Sequence, residues 1–227
     1  MKTVVVTGAD AAFFPLLRDC VRSVREQIPH TEMDLAVLDV GLNGAQRDQL
    51  ATSVDRFATP EWDLRPAGSA PEYIKSFDSR PFLPSYFPGY DIYLWIDADA
   101  WLQDRAAVDL LVRGAVRRGC AVVPELHPGY DPVFSNLEIR YKRFDRIRVD
   151  SWAHNKYGRA YGEETMRQFA WRPVLNSGVF GMHRDAPHWE AWVEDYRLAL
   201  QGDPTIWVNQ VSFNHAYYSR GLDAELL

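Results

Sequence analysis

Residues 90–104 read YDIYLWIDADAWLQD, and this stretch decides the fold. Ile92, Leu94 and Ile96 read as a strand heading into a core, and Asp97 and Asp99 then set two carboxylates where that strand should end. Like charges at the mouth of an apolar strand repel each other and are costly to desolvate, so the stretch calls for a cation. Residues two apart in a strand point to one side, so both aspartates are expected to face a single site. Carboxylate oxygens suit hard divalent ions such as Mg²⁺ or Mn²⁺, which keep positions open for water and phosphate. The plainer alternative is a pair of solvated loop residues, or caps for the segment that follows.

The flanking sequence gives the strand its company. Thr3 to Thr7 is a β-branched run ended by Gly8, as expected of a buried parallel strand. Phe14, Leu17, Val21, Val24 and Ile28 share one helical face before Pro29. DLAVLDV at 34–40 reads as a second strand, and GLNGAQRDQLATSVDRF at 41–57 as a turn and a second helix. Strand and helix alternating in this way predict an α/β fold, one domain over residues 1–227 with a mostly parallel central sheet flanked by helices. A short strand near Trp62 and short helices from Tyr73 to Leu83 are expected in the proline-rich 57–90 region. A helix over 106–118 and a strand, CAVVPEL, follow, then irregular helical segments over 127–172. PVLNSGVFGMHR at 173–184 reads as a strand with a tight bend at Asn176–Gly178, and Trp189, Trp192, Val193, Tyr196 and Leu200 as the buried stripe of a helix. A last helix over 205–220 ends at Gly221, and the closing GLDAELL reads as the start of a strand.

Composition narrows the class. A chain of 227 residues can bury a core without metal or disulfide staples. A net charge of −6, with no basic run, argues against nucleic-acid binding, which rests on neutralising phosphates. Cys20 and Cys120 have no metal-type spacing and read as buried thiols. No stretch approaches the ~20 apolar residues of a membrane span, and no signal peptide is visible. The expected location is therefore cytoplasmic, with peripheral membrane association left open and the oligomeric state unreadable.

Five motifs in order carry a resemblance: VVTGAD (5–10), LDVGLNGAQRDQL (38–50), RPFLPSYFPGYDIYLWIDADAWLQD (80–104), LNSGVFGMHRDAPHW (175–189) and NQVSFN (209–214). Together they resemble the nucleotide-sugar-dependent glycosyltransferases of the GT-A fold, specifically family 8 and its bacterial relatives. The resemblance implies retaining transfer of a hexose-type sugar from a nucleoside diphosphate donor, usually UDP-linked, to an acceptor the sequence does not identify, with Mn²⁺ or Mg²⁺ as cofactor. It implies metal ligation by Asp97 and Asp99, and nucleoside contact by Asp10, for which capping the first helix is the alternative. It implies donor-sugar contact at Asn176, Ser177 and Gly178, where a turn suited to those residues is the alternative. Gln210 falls where the family places a glutamine beside the reacting carbon, and Asn209 falls beside it; Gln210 and Asn214 can also form a plain polar helix face. Lys75 and Arg80 precede the metal strand and can reach the donor phosphates, or stand solvated. Trp152, Tyr157, Tyr161 and Trp171 offer flat rings for an acceptor, or packing over the sheet.

Two departures bear on activity. The family usually has Asp where this chain has Asn209, and an amide cannot act as an anionic nucleophile. Family members also continue to a histidine with a nearby lysine that completes the metal site, whereas this chain stops at GLDAELL, so the expectation is a domain lacking that segment. His183 and His215 lie near site elements in sequence without the right context. A catalytically weak or inactive nucleotide-sugar-binding protein is the alternative within the fold. A phosphatase of the haloacid-dehalogenase type, suggested by DADA alone, is the alternative outside it, although that motif belongs on a first strand.

Overall fold

The computed structural model describes residues 1–125, 138–141, 147–150 and 152–227, with 138–141, 147–150 and 152 described as backbone. In chain order the first elements are β1 (Thr3–Ala9), α1 (Phe14–Gln27), β2 (Asp34–Asp39), α2 (Gly44–Leu50) and β3 (Arg56–Ala58). Short helical turns follow at Glu72–Ile74, α3 (Lys75–Asp78), Arg80–Phe82 and α4 (Leu83–Tyr86), then β4 (Ile92–Ile96), α5 (Arg105–Arg118) and β5 (Cys120–Pro124). The remainder is β6 (Glu138–Tyr141), β7 (Ile147–Asp150), α6 (Trp152–Tyr161), α7 (Glu163–Phe169), β8 (Leu175–His183), α8 (His188–Gly202), α9 (Val208–Arg220) and β9 (Glu225–Leu226).

Seven strands form one sheet in the order β3-β2-β1-β4-β8-β5-β9, and β6 pairs with β7 in a separate antiparallel ribbon. β1 runs parallel to both β2 and β4, β2 to β3, and β5 to β9; β8 is antiparallel to β4. This is the expected α/β class with a mostly parallel sheet. The chain divides into two compact units, one of Met1–Val122, Gly178–Trp189 and Asp223–Leu227, the other of Val123–Ser177 and Glu190–Leu222.

The first unit follows the sequence pattern closely. β1 and β4 are buried along their whole lengths, as the apolar runs require of parallel strands covered on both faces. α1 buries Phe14, Leu17, Cys20, Val21 and Val24 against the sheet, and Pro15 sits in its first turn, where a missing N–H is harmless. α5 starts at Asp104, whose side chain accepts from Ala106 N, and stops at Gly119 in the left-handed region (φ 80°). Both cysteines are free and buried, as read from their spacing.

Several boundaries differ from expectation. Gly8 does not end β1 but lies inside it: an added Cβ would fall 2.9 Å from Leu38 Cβ, so glycine permits the close approach of β1 and β2. The short strand forms at Arg56–Ala58 rather than near Trp62, because Pro60 has no N–H with which to continue a ladder. α2 stops at Leu50, well short of Phe57. No bend interrupts Asn176–Gly178; these residues lie within the continuous strand β8, and Gly178 is not among the positive-φ glycines. The 127–172 region contains the β6–β7 ribbon as well as helices. Much of the charged and aromatic run expected there, with the Trp152 side chain, lies outside the described residues.

Candidate functional site

The order β3-β2-β1-β4 places a reversal between β1 and β4: the chain first builds outward from β1 on one side, then returns to its other side. At such a point the connections leave both strands in opposite directions and open a crevice beyond the carboxyl ends, where open α/β sheets bind ligands. Asp97 is the first residue after β4 and stands at that edge.

The aspartates share a turn rather than a strand face. Ala100 N–H donates to Asp97 O at 2.9 Å, so strand alternation does not extend past Ile96. Asp97 N–H donates to Gly178 O on β8 at 2.8 Å, which fixes the start of the turn. Asp97 Oδ1 accepts two bonds, from Arg80 Nη2 at 2.6 Å and from the Trp95 indole N–H at 2.7 Å. Asp97 Oδ2 and the exposed Asp99 carboxylate accept no hydrogen bond from the described residues. Burial pushes the Asp97 carboxyl above the ordinary carboxylate range; Arg80 and Trp95 pull it back and Asp99 adds to the rise. The fold thus already holds one cation against the pair, so tolerance of the two charges alone does not require a metal.

Of the two expectations for Arg80, contact with donor phosphates or a solvated position, burial excludes the second. Arg80 is 3% exposed, its guanidinium lies 4.7 Å from both the Phe77 and Trp95 ring centres, and its Nε donates to Ser76 O at 3.3 Å. Among the described residues no group of three or more His, Cys, Asp or Glu side chains is placed to hold one ion. The carboxylate oxygens of this turn without a donor among the described residues are those of Asp99 and Oδ2 of Asp97. Two carboxylate oxygens fit Mg²⁺ or Mn²⁺, ions that keep water and substrate phosphate among their ligands.

On the other side of β1, at the carboxyl ends of β1 and β2, is a cleft of about 480 Å³. Its walls include Asp10, Asp39, Gly41, Thr59, Glu72 and Lys75. Asp10 Oδ1 accepts from the N–H groups of Ala12 and Phe13, both at 3.0 Å, so it shapes the entry to α1 without being its N-cap. Its second oxygen has no partner among the described residues. Lys75 Nζ lies 2.7 Å from Glu72 and 5.2 Å from the Trp62 ring centre. Asp39 is an addition to the expected set: it is 6% exposed at the end of β2, and its oxygens engage Gly41 N, Leu42 N and Arg47. Its signal was present in DLAVLDV, an acidic residue closing an apolar strand.

The second unit holds a separate polar cluster. Glu125, 6% exposed, accepts at Oε1 from Gln210 Nε2 (2.8 Å) and Asn176 Nδ2 (3.1 Å). Burial raises its carboxyl above the ordinary value and the Gln210 amide lowers it. With its nitrogen so engaged, Gln210 presents an amide oxygen that accepts from none of the described residues. Asn209 is turned inward instead: it is 1% exposed and its Oδ1 accepts from Ser177 Oγ at 2.9 Å. Its amide suits that buried hydroxyl, where an aspartate would be a desolvated anion. Asn214 clamps the start of β8, bonding both Leu175 N (2.7 Å) and Leu175 O (2.8 Å), so it belongs to the scaffold. Glu125 closes the apolar strand CAVVP as Asp39 closes β2, but nothing in the sequence links it to Asn176 or Gln210.

The remaining expectations sort by burial. Tyr157 is 3% exposed, and Tyr161 donates to Asp195 O at 2.9 Å while stacking on His215 at 3.9 Å, which makes both part of the packing. Trp171 is 59% exposed, edge-on to His154 at 4.6 Å. His215 Nδ1 pairs with Asp195 at 2.8 Å, and His183 Nδ1 accepts from Asp185 N at 3.2 Å. No described helix is long and apolar enough to cross a membrane.

No protein-family model and no curated protein matches the chain. Solved structures do. The galactosyltransferase LgtC, in complex with donor and acceptor sugar analogs, is similar with a TM-score of 0.58 at 18% identity, over 95% of this chain and 70% of that one. The bifunctional glycosyltransferase WbbM in its apo form has a TM-score of 0.67 at 16% identity, over all of this chain and 38% of that one. Core-mannan synthase A from Aspergillus fumigatus, in its Mn/GDP form, has a TM-score of 0.55 at 7% identity, over 96% and 69% of the two chains. At these identities the likeness is one of fold, and the fold of this chain is the GT-A fold of those glycosyltransferases.

Proposed function

We propose that the chain is a metal-dependent, retaining glycosyltransferase that moves a hexose-type sugar from a nucleoside diphosphate, UDP by the sequence resemblance, to an acceptor hydroxyl. The observation that carries this reading is the Asp97–Asp99 turn at the β1/β4 reversal, with the cleft lined by Asp10 and Lys75 at the carboxyl ends of β1 and β2. The Mn/GDP form of core-mannan synthase A supports the choice of cation. Asp99 and Asp97 Oδ2 would hold Mn²⁺ or Mg²⁺, which supplies positive charge to a diphosphate as it leaves. Asp10 offers the cleft an acceptor for a base N–H, and Lys75 a cation in its lining.

In the second unit Glu125 engages the Gln210 amide nitrogen and leaves its oxygen as a free acceptor among the described residues, which supports the role beside the reacting carbon that the sequence resemblance implies for Gln210. Asn209 takes no part in bond making on this reading and serves to seat Ser177. Positioning and electrostatics then account for catalysis without a protein nucleophile at residue 209.

The test is thermal unfolding with UDP, GDP and a set of UDP-sugars, each in Mn²⁺ and in EDTA. A nucleotide at a hundred times its dissociation constant adds about 2.7 kcal/mol, a rise of roughly 5–10 °C for a chain of this size. A rise that needs both nucleotide and Mn²⁺ supports the reading; a nucleotide-induced rise indifferent to EDTA contradicts the metal role. Binding without donor hydrolysis or transfer across an acceptor panel would favour the inactive sugar-nucleotide binder.

A further inference from the structure

We infer that Trp95 and Arg80 are positioning residues that fix Asp97 by one oxygen and so make Oδ2 its single ligating atom toward a divalent cation. The inference rests on the metal reading above and adds to it two side chains that act through Asp97. Both known bonds to the Asp97 carboxylate converge on Oδ1, from Nη2 of Arg80 at 2.6 Å and Nε1 of Trp95 at 2.7 Å. Two donors on one oxygen leave the other without a donor among the described residues and remove the freedom of the carboxylate to swing.

Both donors are themselves immobilised. Trp95 is fully buried on β4, and its ring packs over the Gly8 position, where an added Cβ would lie 3.5 Å from the indole edge. The Arg80 guanidinium lies within 4.7 Å of the Phe77 and Trp95 ring centres, at 3% exposure, and its Nε reaches Ser76 O. A planar guanidinium held over two rings keeps its fork in one orientation, which a lysine cannot reproduce. Asp99, exposed and without such support, contrasts with it: the metal pair has one fixed member and one adaptable member. Partners that orient a ligating carboxylate typically affect metal affinity by about 10- to 100-fold when removed.

The decisive variant is Trp95→Phe, which deletes one hydrogen bond, keeps an aromatic ring beside the Arg80 guanidinium and leaves the charge count unchanged. Mn²⁺ binding to the chain without nucleotide, followed by electron paramagnetic resonance, should weaken about 10-fold. Arg80→Lys, which retains the charge but not the fork, should weaken it at least as much. Trp95→Phe should lower the unfolding temperature, because it shortens a fully buried ring, yet nucleotide binding in EDTA should stay near wild type, a loss confined to Mn²⁺ affinity that a purely structural role would not produce. Wild-type Mn²⁺ binding matched or exceeded by Trp95→Phe overturns the inference while leaving the metal reading in place. Absence of Mn²⁺ binding in the wild type, with and without UDP, overturns both.

Discussion

Two acidic sites in this molecule solve the same problem differently. In the first unit Asp97 follows an apolar strand and is held by a guanidinium and an indole N–H. In the second, Glu125 follows β5 and is held by two neutral amides, of Asn176 and Gln210. Burial raises both carboxyls, but only Asp97 has a formal cation drawing it back. A resident cation offsets part of the cost of burying a carboxylate charge. A carboxylate held by amides alone has its charge set more sensitively by pH and by whatever approaches it.

The sharpest way to break this comparison is to remove the two members of the first pair separately. Asp99→Ala should abolish Mn²⁺-dependent donor turnover while changing stability by no more than about 0.5 kcal/mol, because Asp99 is exposed and unsupported. Asp97→Ala should lose the same activity and also destabilise the fold by about 3 kcal/mol, since it removes the carboxylate paired with the buried Arg80 guanidinium; the 31% exposure of Asp97 keeps this at the low end for buried pairs. Urea denaturation of the two variants separates them, and equal stabilities would contradict the assigned role of Arg80.

The next largest effect concerns the scaffold of the second unit. Asn214→Ala leaves the N–H and C=O of Leu175 and the carbonyl of Gln210 without this partner, a loss of roughly 2 kcal/mol in chemical unfolding. A neutral result would mean that Asn214 does not anchor β8.

Glu125 gives a smaller, pH-dependent effect. Its folded carboxyl sits above the ordinary 4.5, so the folded state holds the proton more tightly than the unfolded one. Its contribution is fully present below pH 4.5 and is lost as pH rises through the folded value. Glu125→Gln should therefore flatten the fall in unfolding temperature between pH 4 and pH 7. A steeper fall in the variant would reverse the assignment. Smallest of all, Lys75→Ala should weaken nucleotide binding roughly two- to fivefold, the scale of one partly exposed ion pair. Calorimetry resolves that difference, and unchanged affinity would remove Lys75 from the cleft's function.

How much of this could be read beforehand follows from where the signals lie. The first unit was legible because β-branched runs, amphipathic spacing and glycine stops are local, and its sheet is built from consecutive strand–helix units. The position of Asp97 and Asp99 at the end of an apolar strand is local and stands out for the same reason, but their geometry does not: the residues share a turn, and a resident arginine already offsets their repulsion. Arg80 could not be recognised as buried, since its pocket is made by Phe77 and Trp95, brought together by the fold. Gly8 was read as a terminator because a glycine needed for close approach to Leu38 looks the same in sequence as one that ends a strand. The Glu125 cluster was least legible: residues 125, 176 and 210 are joined only by tertiary structure. The sequence supplied two of the three and nothing that singled out the carboxylate joining them.

The most direct test of the central claim is calorimetric titration of UDP into the wild-type chain and Asp99→Ala, with Mn²⁺ and with EDTA. The account predicts binding to the wild type that is strong with Mn²⁺ and weak with EDTA, and binding to Asp99→Ala that is weak in both. Wild-type affinity unchanged by EDTA, or Asp99→Ala binding UDP and Mn²⁺ as tightly as the wild type, would contradict the carboxylate turn as the place where the donor's diphosphate is held.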